Sequence, residues 1–180
     1  MEIISIELIN DSIKEQLVNL LIDGVENKAA IGFNFPLSRE KAIEFWDKVN
    51  DELKSKSRIL LVTLIEGSIV ATIQSSWSNT YSNAKHRCEI QKLIVHSTHR
   101  KKGIAKLLLS EIEKYSLSIG KELLILDTSS TDPVTRTLYK SIGYVEVGSI
   151  PFFASHVSNQ GEYSGTTIYY KLIGSLSNLK

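Results

Sequence analysis

Ile94-Val95-His96-Ser97-Thr98-His99-Arg100-Lys101-Lys102-Gly103-Ile104-Ala105 joins a β-rich segment to the clearest helical period in the chain. Downstream of the glycine, Ile104, Leu107, Leu108, Ile112 and Tyr115 recur at the spacing of one helix face, and Gly120 follows where a helix C-terminus is expected. Upstream, His86 to His96 reads as a strand. Beyond Gly120, Leu123-Leu124-Ile125-Leu126 is an unbroken apolar run of strand length, the pattern of a strand covered on both faces. A strand, a helix and a strand over His86–Thr128 make a parallel crossover, which is right-handed in nearly all known cases. In such units ligands sit beyond the carboxyl ends of the strands, here His96–Gly103 and Asp127–Pro133.

Working outward, Ile3 to Leu8 alternates like a strand, and Ser12 with Glu15 reads as a capping box for a helix bearing Ile13, Leu17, Leu20 and Leu21. A loop from Gly24 to Phe35 precedes a second helix, with Ser38 as its cap and Ala42, Trp46, Val49 and Leu53 on its inner stripe. Arg58–Ile65 and Ile69–Ser76 form a hairpin about Glu66-Gly67-Ser68. After the crossover, Asp132-Pro133 supplies a cap and a first-turn proline for a helix with Val134, Leu138 and Ile142 inside. Tyr144–Ile150 and Thr166–Leu172 are the last two strands. With neither a linker nor an internal repeat, residues 1–180 read as one domain in the order β-α-α-β-β-β-α-β-α-β-β.

Composition narrows the function. Hydrophobic residues make up 42% and charged residues 23%, and the net charge of +1 offers no field for nucleic acid or an anionic membrane. Cys88 is the only cysteine, so an intrachain disulfide is impossible, and the four histidines lack the spacing of metal ligands. The N-terminus lacks the plan of a signal peptide, and no apolar run approaches the ~20 residues of a bilayer span. A reducing cytoplasmic compartment, with no membrane, metal or nucleic-acid partner, is the expected setting.

Gly103 lets a ligand approach the backbone, and the helix start behind it presents unpaired amides with a partial positive charge, a site for phosphate. Arg100, Lys101, Lys102 and Lys106 add cations, although a solvated basic helix start looks the same. A G-x-x-x-x-G-K-[ST] loop is missing, which excludes that class of nucleotide site. Arg100-x-x-Gly103-x-Ala105 resembles the Q/R-x-x-G-x-G/A motif of the GNAT acetyltransferase superfamily, and Leu138-Tyr139-Lys140-Ser141-Ile142-Gly143-Tyr144 resembles its L-Y-x-x-x-G-F/Y signature. Within it, Ala30–Phe33, Glu89–Leu93, Leu126–Thr128 and Thr167–Lys171 are similar to the tabtoxin-resistance-type enzymes, which acetylate a small amino-acid-like toxin.

The resemblance implies an α/β fold with a mixed, mostly antiparallel twisted sheet, seven strands by the segments above, a central parallel crossover and flanking helices. It implies acetyl-CoA as acyl donor, its pantetheine arm along Leu93, Ile94 and Val95 and its pyrophosphate on the amides between Lys101 and Lys106, which include Ile104 and Ala105, with Arg100 beside them. Many members carry Asn seven residues before the signature tyrosine; here Asp132 stands there and also reads as a helix cap. Tyr139 takes the position of the tyrosine that protonates the departing thiolate.

An amine attacks a thioester only when neutral, so a proton acceptor is required. Glu89, eleven residues before Arg100, holds the position of the general base in the histone-acetylating branch; the alternative is a strand carboxylate paired with Arg87 or Lys92. Asp127, at a strand end, reads equally as a group that holds or deprotonates the amine and as a cap for the following loop. Cys88 and Glu89 point to opposite faces of a strand, which argues against a cysteine acyl-enzyme. Phe33 and Phe35 are candidate walls of the acceptor pocket, with Phe152–Tyr163 opposite. The histidines, among them His96 and His156, read as surface or loop residues. The expected reaction is direct transfer of acetyl to a small amino-acid-like or antibiotic-like amine by a monomer or homodimer. A peptide acetyltransferase and a non-catalytic CoA-binding module are the alternatives.

Overall fold

The computed structural model describes residues 1–155 and 161–178. Seven strands form a single sheet in the order β1-β2-β3-β4-β5-β7-β6. They are β1 (Glu2–Ser5), β2 (Arg58–Ile65), β3 (Ser68–Ser76), β4 (Arg87–Val95), β5 (Leu123–Ser129), β6 (Val145–Ser155) and β7 (Tyr163–Leu172). The helices are α1 (Asp11–Glu26), α2 (Arg39–Lys54), α3 (Ile104–Ser118) and α4 (Pro133–Ser141). Every neighbouring pair is antiparallel except β4 and β5, the parallel pair expected of the crossover. The β2–β3 hairpin closes tightly because Glu66 and Gly67 both take positive φ, 51° and 78°, and Ile65 pairs with Ser68.

Each face of the sheet has its own core. On one, α1 and α2 seat Leu17, Leu20, Leu21, Trp46 and Val49 on Leu60, Val62 and Ile94. On the other, Ile104, Leu108, Leu109 and Ile112 of α3 join Ile73, Ile90, Leu124 and Leu126, with Tyr139 of α4 at the margin. Four readings change here. The cap of α1 is Asn10, whose side chain accepts from the Ile13 amide at 2.9 Å, so Ser12 lies inside the helix. Leu107 and Tyr115 face outward, while Leu109 and Ser116 face the core. Three successive leucines left the stripe open, and the small Ser116, whose hydroxyl meets that of Ser75 at 3.2 Å, sets the close approach of α3 to β3. In α4, Val134 is exposed and Tyr139 is the buried residue.

The fourth change concerns β5. Its Leu124 and Leu126 are buried, but Leu123 and Ile125 face an open apolar concavity shared with Val147, Ile168, Tyr170 and Leu172. The helices α1 and α2 stop short of this half of the sheet, so the apolar run of β5 is covered on one face only. No helix among the described residues is long and apolar enough to cross a membrane.

Candidate active site

The strands β4 and β5 pair at Arg87–Leu123, Cys88–Leu124 and Glu89–Ile125, and then part, although β4 runs on to Val95 and β5 to Ser129. The cause lies on the other edge of β4. Thr72 of β3 pairs with Ile94 and Gln74 with Gln91, so two residues, Lys92 and Leu93, oppose Ile73 alone. Lys92 takes φ 50° at this bulge. A bulge bends its strand and shifts the alternation of side chains by one. Cys88 and Ile90 point into the core beneath α3, whereas Ile94, past the bulge, points into the core beneath α1 and α2. The edge of β4 from Gln91 to Val95 is thereby left without a β5 partner, in a slot between the two strands.

At the far end of the slot stands the turn into α3. Lys101 and Gly103 both take left-handed conformations, φ 61° and 80°. Asn10, Ser38 and Asp132 cap the other three helices with their side chains, but α3 begins at Gly103 with no side-chain cap. Its first amides, at Ile104, Ala105 and Lys106, lie in the turn where an α-helix has no internal acceptor to offer. A Cβ at Gly103 would meet no protein atom within 4 Å, so the space before these amides is open. Lys101, Lys102 and Lys106 are exposed around it. Arg100 is engaged differently: its Nε donates to the Val95 carbonyl at 3.2 Å and its Nη1 to the Asn27 carbonyl at 3.5 Å. Asp23 of α1 accepts from the Ser97 amide (2.8 Å) and hydroxyl (2.7 Å) and lies 3.7 Å from His96 Nε2, pinning the turn from below. His96, a loop residue as expected, thus takes part in the turn's anchorage. An open slot ending in free amides and lysines fits an extended ligand with a phosphate-rich end.

At the near end, Glu89 and Asp127 share a face of the sheet. Glu89 forms no ion pair among the described residues, so neither Arg87 nor Lys92 takes up its charge as a partner. Asp127 lies inside β5, opposite Ile168, rather than at the strand end, and it caps no loop. Its carboxylate is reached by solvent, yet the surrounding protein lifts its pKa above the ordinary aspartate value. The negative charge of Glu89 adds to that shift and Lys92 opposes it. Cys88 is buried on the opposite face, and burial raises its thiol pKa.

Tyr139 packs between the rings of Tyr144 and Tyr169, at 5.9 and 5.8 Å. Burial, then the charges of Asp127 and Asp132, hold its pKa far above the usual phenol value, so the hydroxyl keeps its proton. No hydrogen bond reaches that hydroxyl from the described residues. Asp132 caps α4, its Oδ1 accepting from the amides of Val134 (2.9 Å) and Thr135 (3.2 Å).

Residues 22–144 match the Acetyltransferase (GNAT) family. The chain belongs to that family. The chain spans about a quarter to a third of the length of the curated relatives it matches. Ribosomal-protein-alanine N-acetyltransferase from Brucella melitensis superposes with a TM-score of 0.79 at 19% identity, over 96% of this chain and 100% of that one. A GNAT phosphinothricin acetyltransferase from Sinorhizobium meliloti, in complex with acetyl-CoA, superposes with a TM-score of 0.77 at 17% identity, over 97% and 90%. Human N-acetyltransferase 8 is 34% identical over 62 residues, which are 34% of this chain and 27% of that protein.

Of the candidate pocket walls, Phe33 packs edge-to-face on Phe45, with ring centroids 5.3 Å apart, and lies 5.6 Å from the Lys92 ammonium. Phe35 does not join it; the residue is 51% exposed. The expected loop from Phe152 is strand as far as Ser155, and strand resumes at Tyr163. The rest of it, including His156, lies largely outside the described residues. Ser155 and the Asn34 side chain exchange hydrogen bonds of 3.0 and 3.3 Å, tying β6 to the loop that carries Phe33.

Two residues of this end were given no functional role in the sequence reading, Phe45 and Lys92. Their ring and ammonium lie 5.5 Å apart. The trace of Lys92 was present in Glu89-Ile90-Gln91-Lys92-Leu93, where two polar residues in succession break the alternation of a strand.

Proposed function

We propose that residues 1–180 form one catalytic domain, which moves the acetyl group of acetyl-CoA directly onto the primary amine of a small amino-acid-like molecule of the antibiotic or toxin kind. The observation that carries this reading is the slot between β4 and β5. It runs from a helix start with free amides to a pair of carboxylates on one face of the sheet.

Leu93, Ile94 and Val95 offer strand backbone to the pantetheine arm, and the amides from Lys101 to Lys106 hold the pyrophosphate. Asp132, committed by one oxygen to the helix cap, has a second oxygen for the cofactor. Glu89 and Asp127 receive the amine, and its neutral form attacks the thioester carbonyl carbon as a proton passes to this carboxylate pair. The C–S bond breaks, the sulfur takes a proton from Tyr139, and amide and free thiol leave. Glu89 serves as base and Asp127 as anchor of the amine. Burial keeps Tyr139 protonated, so a proton is present there when the thiolate departs. Cys88 faces away, so transfer needs no acyl-enzyme.

The test is a panel of amino acids, aminoglycosides and peptides with free N-termini, offered with acetyl-CoA while free thiol is followed. Thiol release that depends on a small amine bears out the reading. Release only with peptides moves the acceptor class to polypeptides, and none with any amine removes the catalytic reading.

A further inference from the structure

We infer that Lys92 is an anion subsite for the acceptor, so that the amine acetylated belongs to a molecule with a carboxylate close by, a free amino acid in chemical terms. The inference rests on the acetyl-transfer reading of the same slot and specifies the other half of its acceptor.

The bulge in β4 aims the Lys92 side chain at the face bearing Glu89 and Asp127, and its ammonium lies 5.6 Å from the Phe33 ring centroid and 5.5 Å from that of Phe45. A methyl group at Gly32 would sit 3.4 Å from the same ammonium, so the loop above it closes down where glycine allows. Two rings and a turn therefore fix the cation, each ring attracting it through its negative face. They do not neutralise it. Lys92 forms neither an ion pair nor a hydrogen bond among the described residues. Glu89 and Asp127 are near enough for their charges to act on it, but neither closes to contact.

The other cation nearby does have partners. Arg58 donates to Glu52 at 2.6 Å, to Gln91 at 3.2 Å and to Gln74, and its side chain is 8% exposed. Of these two cations Lys92 remains available, half-buried, in a place where holding a charge is unfavourable: burial and the positive charge of Arg58 both push its pKa down. A half-buried ammonium without a counter-ion is costly unless a ligand supplies one. Two carboxylates and one ammonium on one face form a complement to a zwitterion, its amine on Glu89 and Asp127 and its carboxylate on Lys92. An uncharged amine would leave Lys92 unpaired, and a polyamine would meet it as a like charge.

The probes are the common L-amino acids and the matching L-amino acid amides, which keep the amine and lose the anion. Wild-type enzyme should prefer the best acid over its amide by on the order of ten- to a hundredfold in kcat/KM, since a hydrogen bond to a charged group is at stake. Lys92→Met should raise KM for the acid by a similar factor, leave the amide nearly unchanged and so erase the preference. Lys92→Arg should restore part of it. Calorimetric binding of the acid without acetyl-CoA should follow the same order, which separates the two readings. Acid binding that is lost in Lys92→Met upholds the subsite even if no acetyl is transferred. Acetyl transfer with equal use of acids and amides, or a preference that survives Lys92→Met, overturns the subsite and leaves the transferase standing. Neither binding nor transfer of any acid overturns it as well.

Discussion

Glu89 and Asp127 stand on the same face of the sheet on either side of the point where β4 and β5 part. Glu89 belongs to the last pair that joins the strands, opposite Ile125, and Asp127 follows two residues later on β5. The separation of their roles is open to kinetics. Glu89→Gln should lower kcat with the acceptor KM little changed, because only proton acceptance is lost; Asp127→Asn should mainly raise the acceptor KM. Full kcat in Glu89→Gln, with an unaltered pH profile, would assign the base to Asp127 or to water. Since the two carboxylates feel each other, the acidic limb of the wild-type profile belongs to the pair.

The raised pKa of Asp127 has a thermodynamic counterpart. A carboxyl whose folded pKa exceeds its unfolded value binds its proton more tightly in the native state, so stability falls as pH rises between those two values. Asp127→Asn should therefore melt higher than wild type at neutral pH. The gap should close as pH drops below the ordinary aspartate value of about 3.9. Melting curves across pH decide it, and an Asn variant less stable than wild type at neutral pH would mean that the carboxylate has a stabilising partner.

Tyr139 allows activity and stability to be parted. Its hydroxyl receives no hydrogen bond from the described residues, while its ring packs on Tyr144 and Tyr169. Tyr139→Phe should keep the ring, the melting temperature and acetyl-CoA binding, yet lower kcat on the order of a hundredfold. The loss should shrink with acyl donors whose thiols are more acidic.

Donor binding is tested at Gly103, where a side chain would enter open space from a backbone at φ 80°. Acetyl-CoA should raise the melting temperature of the wild type by ligand linkage. Gly103→Glu places a carboxylate where phosphate is expected and should abolish that rise. A preserved rise would move the phosphate elsewhere.

Asp23 acts on the same turn from a distance. Removing its two bonds to Ser97 in Asp23→Ala should cost about 1–3 kcal/mol of stability and weaken acetyl-CoA several-fold, without touching the acceptor KM. Denaturant melts and calorimetry measure the two effects separately.

The order of elements and the parallel crossover could be read from the sequence because both rest on local signals: alternation in β1, β-rich runs about a tight turn in β2 and β3, a helical stripe in α3, glycine and proline at the ends. The caps Ser38 and Asp132 were legible for the same reason. Features that depend on partners were not. The leucines of α3 could bury either of two adjacent stripes until Ser75 of β3 was known to lie beneath Ser116. Leu123 and Ile125 are as apolar as Leu124 and Leu126, and only the reach of α1 and α2 decides that they stay half open. At the candidate site, Glu89, Asp127, Tyr139 and Gly103 could be named as candidates through motif and strand position. Lys92 and Phe45 were passed over because a lysine in a strand and a phenylalanine beside Trp46 have no local signature of facing each other.

The bulge in β4 makes the slot depend on a count of residues more than on their identity. Nine residues run from Arg87 to Val95, one more than a regular ladder against β3 would take. Deleting one residue near Lys92 would let β4 straighten and zip onto β5. It would also turn everything after the deletion to the opposite side, carrying Ile94 out of one core and Leu93 and Val95 out of the other. Substitutions that keep the length could be absorbed one side chain at a time. Length variation among descendants of this chain should therefore collect in its loops, and the central strand should keep its number of residues even where its letters drift.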